Sequence, residues 1–493
     1  MSQSRRGEDG YQPYKVIPLT PALNWSAWNV AADPVTEITT AAGTGGDPAQ
    51  GLAKMVEMCN NNGHCRKFDA GTMCPSYRVT RDEQHVTRGR ANTLRMAISG
   101  QLQENQSAIS DQALQTANEA LDLCVSCKGC KRECPTGVDM AKVKIEFTRL
   151  YKERFGYTFK DKLIGCMPYY ARLAAKFAPV LNLRNRVPLL AKLTEWTLGF
   201  SAKRSLPTWS SQHFFNAPIQ TATRDEVLAS SKAVVLFVDT FNGYFESKNA
   251  HAAVKVLQTA GYTVHVAAKH GGASQGAGHL CCGRTYLSTG MVEKAAAKLS
   301  ELLTELAPFA AKGISIVGLE PSCLLTLRDE ALVMPVDSGL QAIAKSVANH
   351  AFLFEEFLAN EAKTGRMDGL QALLRPMTQP ILLHGHCHQK AFDAVNPILD
   401  VLNWLPRAQG VAKPTLIESS CCGMAGSFGY EAGHIDISMQ MAELSLLPAI
   451  RKQADAIVVA DGMSCRHQIF DGTLQDKKPR EAIHVAQLLA QYC

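Results

Sequence analysis

The chain has 493 residues and sixteen cysteines, and most of the cysteines fall at spacings that suit metal ligation. Cys124, Cys127 and Cys130 lie three apart, and Cys134 follows four later, immediately before Pro135. This is the C-x2-C-x2-C-x3-C-P run of bacterial [4Fe–4S] sites. Three thiolates on one tight turn reach three iron corners of the same cube. The fourth, carried away by the proline, ligates the other cluster in two-cluster proteins. A zinc site more often brings two separated C-x2-C pairs.

An earlier group, Cys59, Cys65 and Cys74-Pro75, departs from that run. Counting back from Cys74, the pattern wants cysteine where the chain has Ala70, Lys67 and His64. By the exchange rule Cys74 completes a cluster on Cys124, Cys127 and Cys130. Cys59, Cys65 and Cys134 are then expected to hold a second cluster, one ligand short, with His64 or Asp69 available for the fourth bond. Lys128, Lys131 and Arg132 lie between these ligands, either raising a cluster's potential or forming a solvated face.

The remaining cysteines sit in an internal repeat. The first copy reads FVDTF at 237–241, CCGR at 281–284 and EPSC at 320–323; the second reads HGHCH at 384–388, CCGM at 421–424 and GMSC at 462–465. Cys323 follows Cys282 by 41 residues, and Cys465 follows Cys422 by 43. The second copy offers Cys387, Cys421, Cys422 and Cys465 as metal or cluster ligands. The first offers only Cys281, Cys282 and Cys323, with Asp239-Thr240 where the second has His386-Cys387, so a weaker or altered site is expected there. Reduced thiols doing redox or packing work are the alternative, since vicinal cysteines do not easily form an unstrained disulfide. His384, His386 and His388 suit substrate or proton handling, or donate hydrogen bonds to sulfur.

The elements that must position these residues follow from pattern. Residues 1–50 are broken by prolines and read as an arm or linker. Tyr11, Tyr14, Trp25 and Trp28 give it groups to pack on a partner or back on its own domain. Residues 51–155 form a helical ferredoxin-like domain carrying the [4Fe–4S] motif, with apolar residues at helical spacing over 88–102 and 107–123. Residues 156–225 are basic and amphipathic, cut into short helices by Pro168, Pro179 and Pro188. Such a stretch is a connector packed on the domains or lies on an anionic membrane surface. From 226 onward short apolar runs alternate with helical patterns, which predicts parallel sheets. Strands are expected at 233–238, 263–267, 314–319, 381–383, 416–418 and 456–460. Two tandem α/β modules, 226–350 and 378–493, follow, joined by a linker at 351–377 with a helix over 352–358. Candidate ligands then fall at or just beyond the ends of strands, where open α/β sheets bind ligands.

Length and composition bound the rest. The chain is too long for one core. A hydrophobic fraction of 46%, charged residues at 19% and a net charge of +6 describe an ordinary globular protein and do not argue for nucleic acid. The polar opening Met1–Tyr14 is not a signal peptide, so a reducing cytoplasmic setting with cysteines as ligands is expected. No run of eighteen apolar residues predicts a transmembrane helix.

LCVSCKGCKRECP and the paired CCG motifs resemble the iron–sulfur subunits of flavin-linked dehydrogenases. These include the iron–sulfur subunits of glycolate oxidase and of the anaerobic glycerol-3-phosphate dehydrogenase, and the CCG subunits of heterodisulfide reductase. The segments 59–92, 318–330, 384–390 and 421–431 are similar to the C-terminal part of fused FAD/iron–sulfur D-2-hydroxyacid dehydrogenases of the D-lactate and D-2-hydroxyglutarate kind. The resemblance implies an electron relay from a flavoprotein that oxidises a D-2-hydroxyacid (D-lactate, D-2-hydroxyglutarate or glycolate) to a quinone or other carrier. It implies FAD on a partner subunit or on a missing N-terminal half; the basic stretch 156–225 adds a peripheral contact with the inner face of the cytoplasmic membrane as an alternative to a purely cytoplasmic chain. No G-x-G-x-x-G opens a helix after a strand, and HGGASQGAGHL at 270–280 reads as a loop near the thiolates, so the chain alone is expected to be inert toward hydroxyacids. A heterodisulfide-reductase-like enzyme using the CCG sites is the second reading.

Overall fold

In this computed structural model the described residues are 16–28, 48–68, 71–102, 108–217, 219–269 and 278–493. Tyr11, Tyr14, Asp69 and most of the 270–280 segment lie outside them.

The N-terminal third is helical. The two amphipathic patterns become helices Thr87–Ile98 and Asp111–Asp122, the second started by Ser110, whose hydroxyl accepts from Ala113 N at 3.1 Å. A long helix, Met140–Phe155, opens at Asp139, whose carboxylate accepts from Lys142 N at 3.2 Å. Residues 16–28 pack back on this region. Glu146 is fully buried and accepts from Leu23 N at 2.5 Å and from Trp25 Nε1 at 3.0 Å. Trp25 therefore serves its own chain.

The C-terminal part holds two four-stranded parallel sheets with the same topology. The first contains β1 (Ala233–Phe237), β2 (Thr263–Val266), β3 (Ser315–Gly318) and β4 (Ala351–Leu353) in the order β2-β1-β3-β4. The second contains β5 (Ile381–Leu383), β6 (Thr415–Leu416), β7 (Ile457–Val459) and β8 (Ala482–Ile483) in the order β6-β5-β7-β8. Inner strands are uninterrupted apolar runs because helices cover both faces. Two expectations shift. Ala351–Leu353, read as the start of a linker, is an edge strand paired with β3, and the helix after it runs Phe354–Ala362. The strand expected at 416–418 ends at Leu416.

One hydrophobic cluster runs from Leu52 and Val143 through Leu299 to Leu353, so the helical region and the first sheet share a core. A second cluster joins the two sheets through Val254, Leu257, Ile398 and Leu488.

The proline-cut stretch forms helices Phe159–Gly165, Met167–Lys176, Ala178–Leu181 and Pro188–Leu198, with each proline in a first turn where its missing N–H costs nothing. Its apolar residues are not all packed against the domains. Tyr169 is 80% exposed and Trp196 85%, and Leu173, Phe177, Val180, Leu189 and Leu193 also face outward. No helix among the described residues is long and apolar enough to cross a membrane.

Candidate metal centre

The ferredoxin-type loop is built on unusual backbone. Ser126 and Lys128 have φ of 48° and 59°, and Cys74 has 53°. Non-glycine residues in the left-handed region carry strain that cooperating contacts must hold. Those contacts are visible. Gly129 begins the helix Gly129–Glu133 so close to the other cysteine loop that a Cβ would lie 2.9 Å from Met73 N. At the end of that helix, Glu133 accepts from Thr72 N at 2.5 Å and Met73 N at 3.3 Å. Pro75 starts the helix Pro75–Thr80 directly after Cys74. The two cysteine loops are thereby locked together.

The lock brings Cys74 to the later motif. Cys74 lies within electrostatic reach of Cys124 and Cys130, and Cys127 within reach of Cys124 and Cys130. Cys74 Sγ accepts from Thr87 N at 3.1 Å. Burial pushes the Cys127 and Cys130 thiols well above their ordinary range, helped by Cys387 and Asp139 respectively. Burial would raise Cys124 too, but Arg90 and Lys144 outweigh it and hold that thiol below its usual value. Three buried thiols that resist ionising and a fourth, half-buried, that two cations favour as thiolate fit a bound cationic iron–sulfur core.

The other group is less complete. Cys65 lies near both Cys59 and Cys74, and burial pushes it up to about 11. Cys134 contacts Thr136 Oγ1 at 3.3 Å and packs on the same core. His64 is exposed, its backbone N–H bonded to Asn62, so it stands in solvent as a side chain.

Of the three cations between the ligands, Lys128 is buried, Lys131 is half-buried and Arg132 is exposed. Lys128 is 1% exposed, and its Nζ lies 2.7 Å from both Asp329 Oδ2 and the Glu330 carboxylate. Lys131 and Lys142 each reach Asp329 Oδ1 at 2.6 Å. Glu330 also pairs with Arg284 of the CCGR segment at 2.7 Å. Arg132 donates to Lys390 O at 2.6 Å. Sequence reasoning missed these acids.

The same loop meets the second sheet. His388 Nε2–H donates to Ser126 O at 3.1 Å, and Ser420 Oγ donates to Thr72 O at 2.9 Å. Cys127 shares an apolar cluster with Cys387, Cys421, Val125, Phe428 and Met441. Cys387, Cys421, Cys422 and Cys465 then form a chain of thiol–thiol contacts. The CCG turn that carries two of them needs glycine: Gly423 has φ 89°, and a Cβ there would lie 2.4 Å from Ser438 O.

The three histidines of HGHCH separate by role. His386 Nδ1 accepts from His388 N at 3.1 Å and starts the helix Cys387–Ala391. His388 reaches Ser126. His384 Nδ1 lies 2.9 Å from Ser419 Oγ, and its ligand atom clusters within 4.8 Å of the Cys422 and Cys465 sulfurs.

Around the first sheet, Cys281, Cys282 and Cys323 also touch in series, and Cys281 is within reach of Thr240. Asp239 takes the place of His386 as helix cap, accepting from Phe241 N at 2.9 Å and Asn242 N at 3.1 Å. Glu320 stands where the second sheet has Gly462, whose missing Cβ leaves room for the His386 ring at 2.4 Å. Glu320 Oε2 accepts from Met463 N at 2.9 Å, and burial together with Asp239 raises it to about 7. All sixteen cysteines are free thiols.

Residues 55–138 match the family described as the 4Fe-4S dicluster domain, and residues 381–470 the family described as the cysteine-rich domain. The chain is 26% identical over 450 residues to D-2-hydroxyglutarate dehydrogenase of Escherichia coli strain K12, covering 83% of this chain and 41% of that protein. It is 25% identical to the enzyme of the same name from Pseudomonas putida, covering 88% and 43%. It is 25% identical over 339 residues to a subunit of the anaerobic glycerol-3-phosphate dehydrogenase of E. coli K12, covering 67% and 76%. The chain thus spans about two-fifths of the length of the D-2-hydroxyglutarate dehydrogenases it matches. It carries a 4Fe-4S dicluster domain and a cysteine-rich domain, supports iron–sulfur binding, and is similar to dehydrogenases and a dehydrogenase subunit.

Proposed function

We propose that this chain is the electron-relay part of an FAD-dependent D-2-hydroxyacid dehydrogenase, with the flavin on a partner subunit or a preceding half. Cys74, Cys124, Cys127 and Cys130 would hold one [4Fe–4S] cluster, and Cys59, Cys65 and Cys134 three corners of a second. Cys387, Cys421, Cys422 and Cys465 would hold a further metal centre, with Cys281, Cys282 and Cys323 an altered counterpart. Bound there, iron–sulfur groups supply one-electron carriers whose potentials are set by hydrogen bonding and burial.

The observation that carries this reading is that Cys127 lies with Cys387 and Cys421 in one apolar cluster, within electrostatic reach of both. It gives two donor sets a dry junction, sealed by Val125 and Phe428. Ser126 O and Thr72 O fix the junction through His388 and Ser420. Lys128 anchors the same loop to Asp329.

On the acceptor side the reading includes an anionic lipid surface, where a quinone is reached. The helices over 159–198 present Tyr169, Leu173, Phe177, Leu189 and Trp196 outward, with Arg172, Lys176, Arg186 and Lys192 among them. Apolar side chains that insert and cations that meet anionic headgroups make an interfacial face.

The test uses the anaerobically purified full chain, free of flavin by its spectrum. Mixed with D-lactate or D-2-hydroxyglutarate it should keep its iron–sulfur absorbance. Adding the cognate flavoprotein should bleach it. Bleaching by either acid without flavoprotein would overturn the relay.

A further inference from the structure

We infer that His384 is a metal ligand, forming with Cys422 and Cys465 a mixed imidazole–thiolate site for a divalent first-row transition ion. The inference rests on the reading of the second sheet's thiols as metal ligands and goes beyond a cysteine-only site.

Three neighbouring strands supply one donor each. In the order β6-β5-β7, Cys422 follows β6, His384 follows β5 and Cys465 lies on the helix after β7. Their ligand atoms all lie within 4.8 Å of one another, and all three residues are buried.

Hydrogen bonding sets which imidazole nitrogen is free. Ser419 Oγ contacts three groups: His384 Nδ1 at 2.9 Å, Lys390 Nζ at 3.2 Å and Ile417 O at 3.4 Å. The lysine can only donate. A metal ion on Nε2 requires the hydrogen on Nδ1, and Ser419 Oγ can accept it there while its own proton goes to Ile417 O. Nε2 is left with its lone pair, fully buried, with no hydrogen-bond partner. A neutral imidazole fixed through one nitrogen with the other bare is the arrangement of a ligating histidine, and the Ser419 bond is the outer support such ligands have.

The first sheet is an internal control. Where the second copy has His384, the first has Phe237, a core residue 1% exposed. The imidazole belongs to the second sheet alone. Two thiolates with one imidazole suit zinc, iron or cobalt, and a three-ligand protein site leaves a position for an exogenous group.

The test supplies Co2+, a paramagnetic stand-in, during production of the full chain. The protein should show thiolate–cobalt absorption, and pulsed paramagnetic resonance should show hyperfine coupling to an imidazole nitrogen. His384→Ala should abolish the nitrogen coupling and lower cobalt occupancy at least about tenfold; Ser419→Ala should weaken occupancy by about tenfold. His384→Cys guards against misfolding, because it should retain cobalt and lose only the nitrogen signal. No nitrogen coupling in the wild type, or coupling that survives His384→Ala, overturns the ligand. If that occurs while flavoprotein-dependent bleaching persists, the relay stands without it. Nitrogen coupling with no bleaching leaves the ligand standing and removes the relay.

Discussion

Lys128 Nζ lies 2.7 Å from Asp329 Oδ2, although 201 residues of chain separate the two. Lys128 is part of the ferredoxin-type loop, and Asp329 follows the helix Pro321–Leu327, between β3 and β4 of the first sheet. The pair is buried on both sides, with Lys131 and Lys142 on the same carboxylate. Those lysines hold Asp329 well below the usual carboxylate range even though burial alone would raise it. The loop is therefore clamped between the first sheet, through Lys128, and the second, through His388.

Removing one partner of a buried ion pair strands the other. Lys128→Met removes the cation shared by Asp329 and Glu330, which keep Lys131, Lys142 and Arg284, and should cost less than the roughly 3–5 kcal/mol of a fully stranded charge. Urea unfolding of the full chain should show a lowered midpoint, and the double variant Lys128→Met/Asp329→Leu should recover part of it. A single variant as stable as the parent would show that the pair does not hold the domains together.

Glu320 sets a pH dependence. Burial and Asp239 raise it from 4.5 to about 7. A carboxyl whose folded value is raised favours the folded state most below 4.5. That advantage is lost as pH rises toward about 7, and the curve is flat above. The slope is at most about 1.4 kcal/mol per pH unit. Glu320→Gln should flatten the urea midpoint between pH 5 and pH 7, as the parent's falls. Parallel profiles would contradict the assignment.

The CCG turn offers a paired control. Gly423 and Gly426 both have positive φ, 89° and 65°, but only Gly423 has a backbone oxygen, of Ser438, 2.4 Å from an added Cβ. Gly426→Ala should cost about 1 kcal/mol, the left-handed penalty alone. Gly423→Ala should cost about 2–5 kcal/mol because overpacking adds to it. Equal shifts in thermal midpoint would refute the distinction.

The outward face of residues 159–198 predicts lipid binding. Vesicles containing phosphatidylglycerol should co-sediment the full chain, and zwitterionic vesicles should do so less. Trp196→Ser with Leu189→Ser should reduce sedimentation several-fold, and salt should weaken it by screening Arg172 and Lys192. Binding that ignores both the variant and the salt would place the contact elsewhere.

Local pattern made much of this legible. The strands at 233–237, 315–318 and 381–383 were readable as short apolar runs, and the cysteine spacing pointed to the iron–sulfur chemistry. Two- and three-residue edge strands such as Ala482–Ile483 and Ala351–Leu353 carry too little periodicity to be seen. The buried state of Lys128 was invisible because its acids lie some 200 residues away, and a lysine between cysteines reads as surface. Three histidines in HGHCH look alike in sequence. Only their hydrogen bonds, to Ser419, to His388 N and to Ser126, assign them different work.

The most direct test is an iron and acid-labile sulfide count on the anaerobically purified full chain and on its Cys127→Ser variant, with the paramagnetic resonance spectrum of each after reduction. Cys127 is the sulfur that belongs to the ferredoxin-type set and also lies in one apolar cluster with Cys387 and Cys421. The variant should lose about four irons with their sulfide, the content of one cubane cluster, together with its brown absorbance and its resonance signal. An unchanged iron count and spectrum would contradict the cluster on Cys74, Cys124, Cys127 and Cys130, and with it the relay.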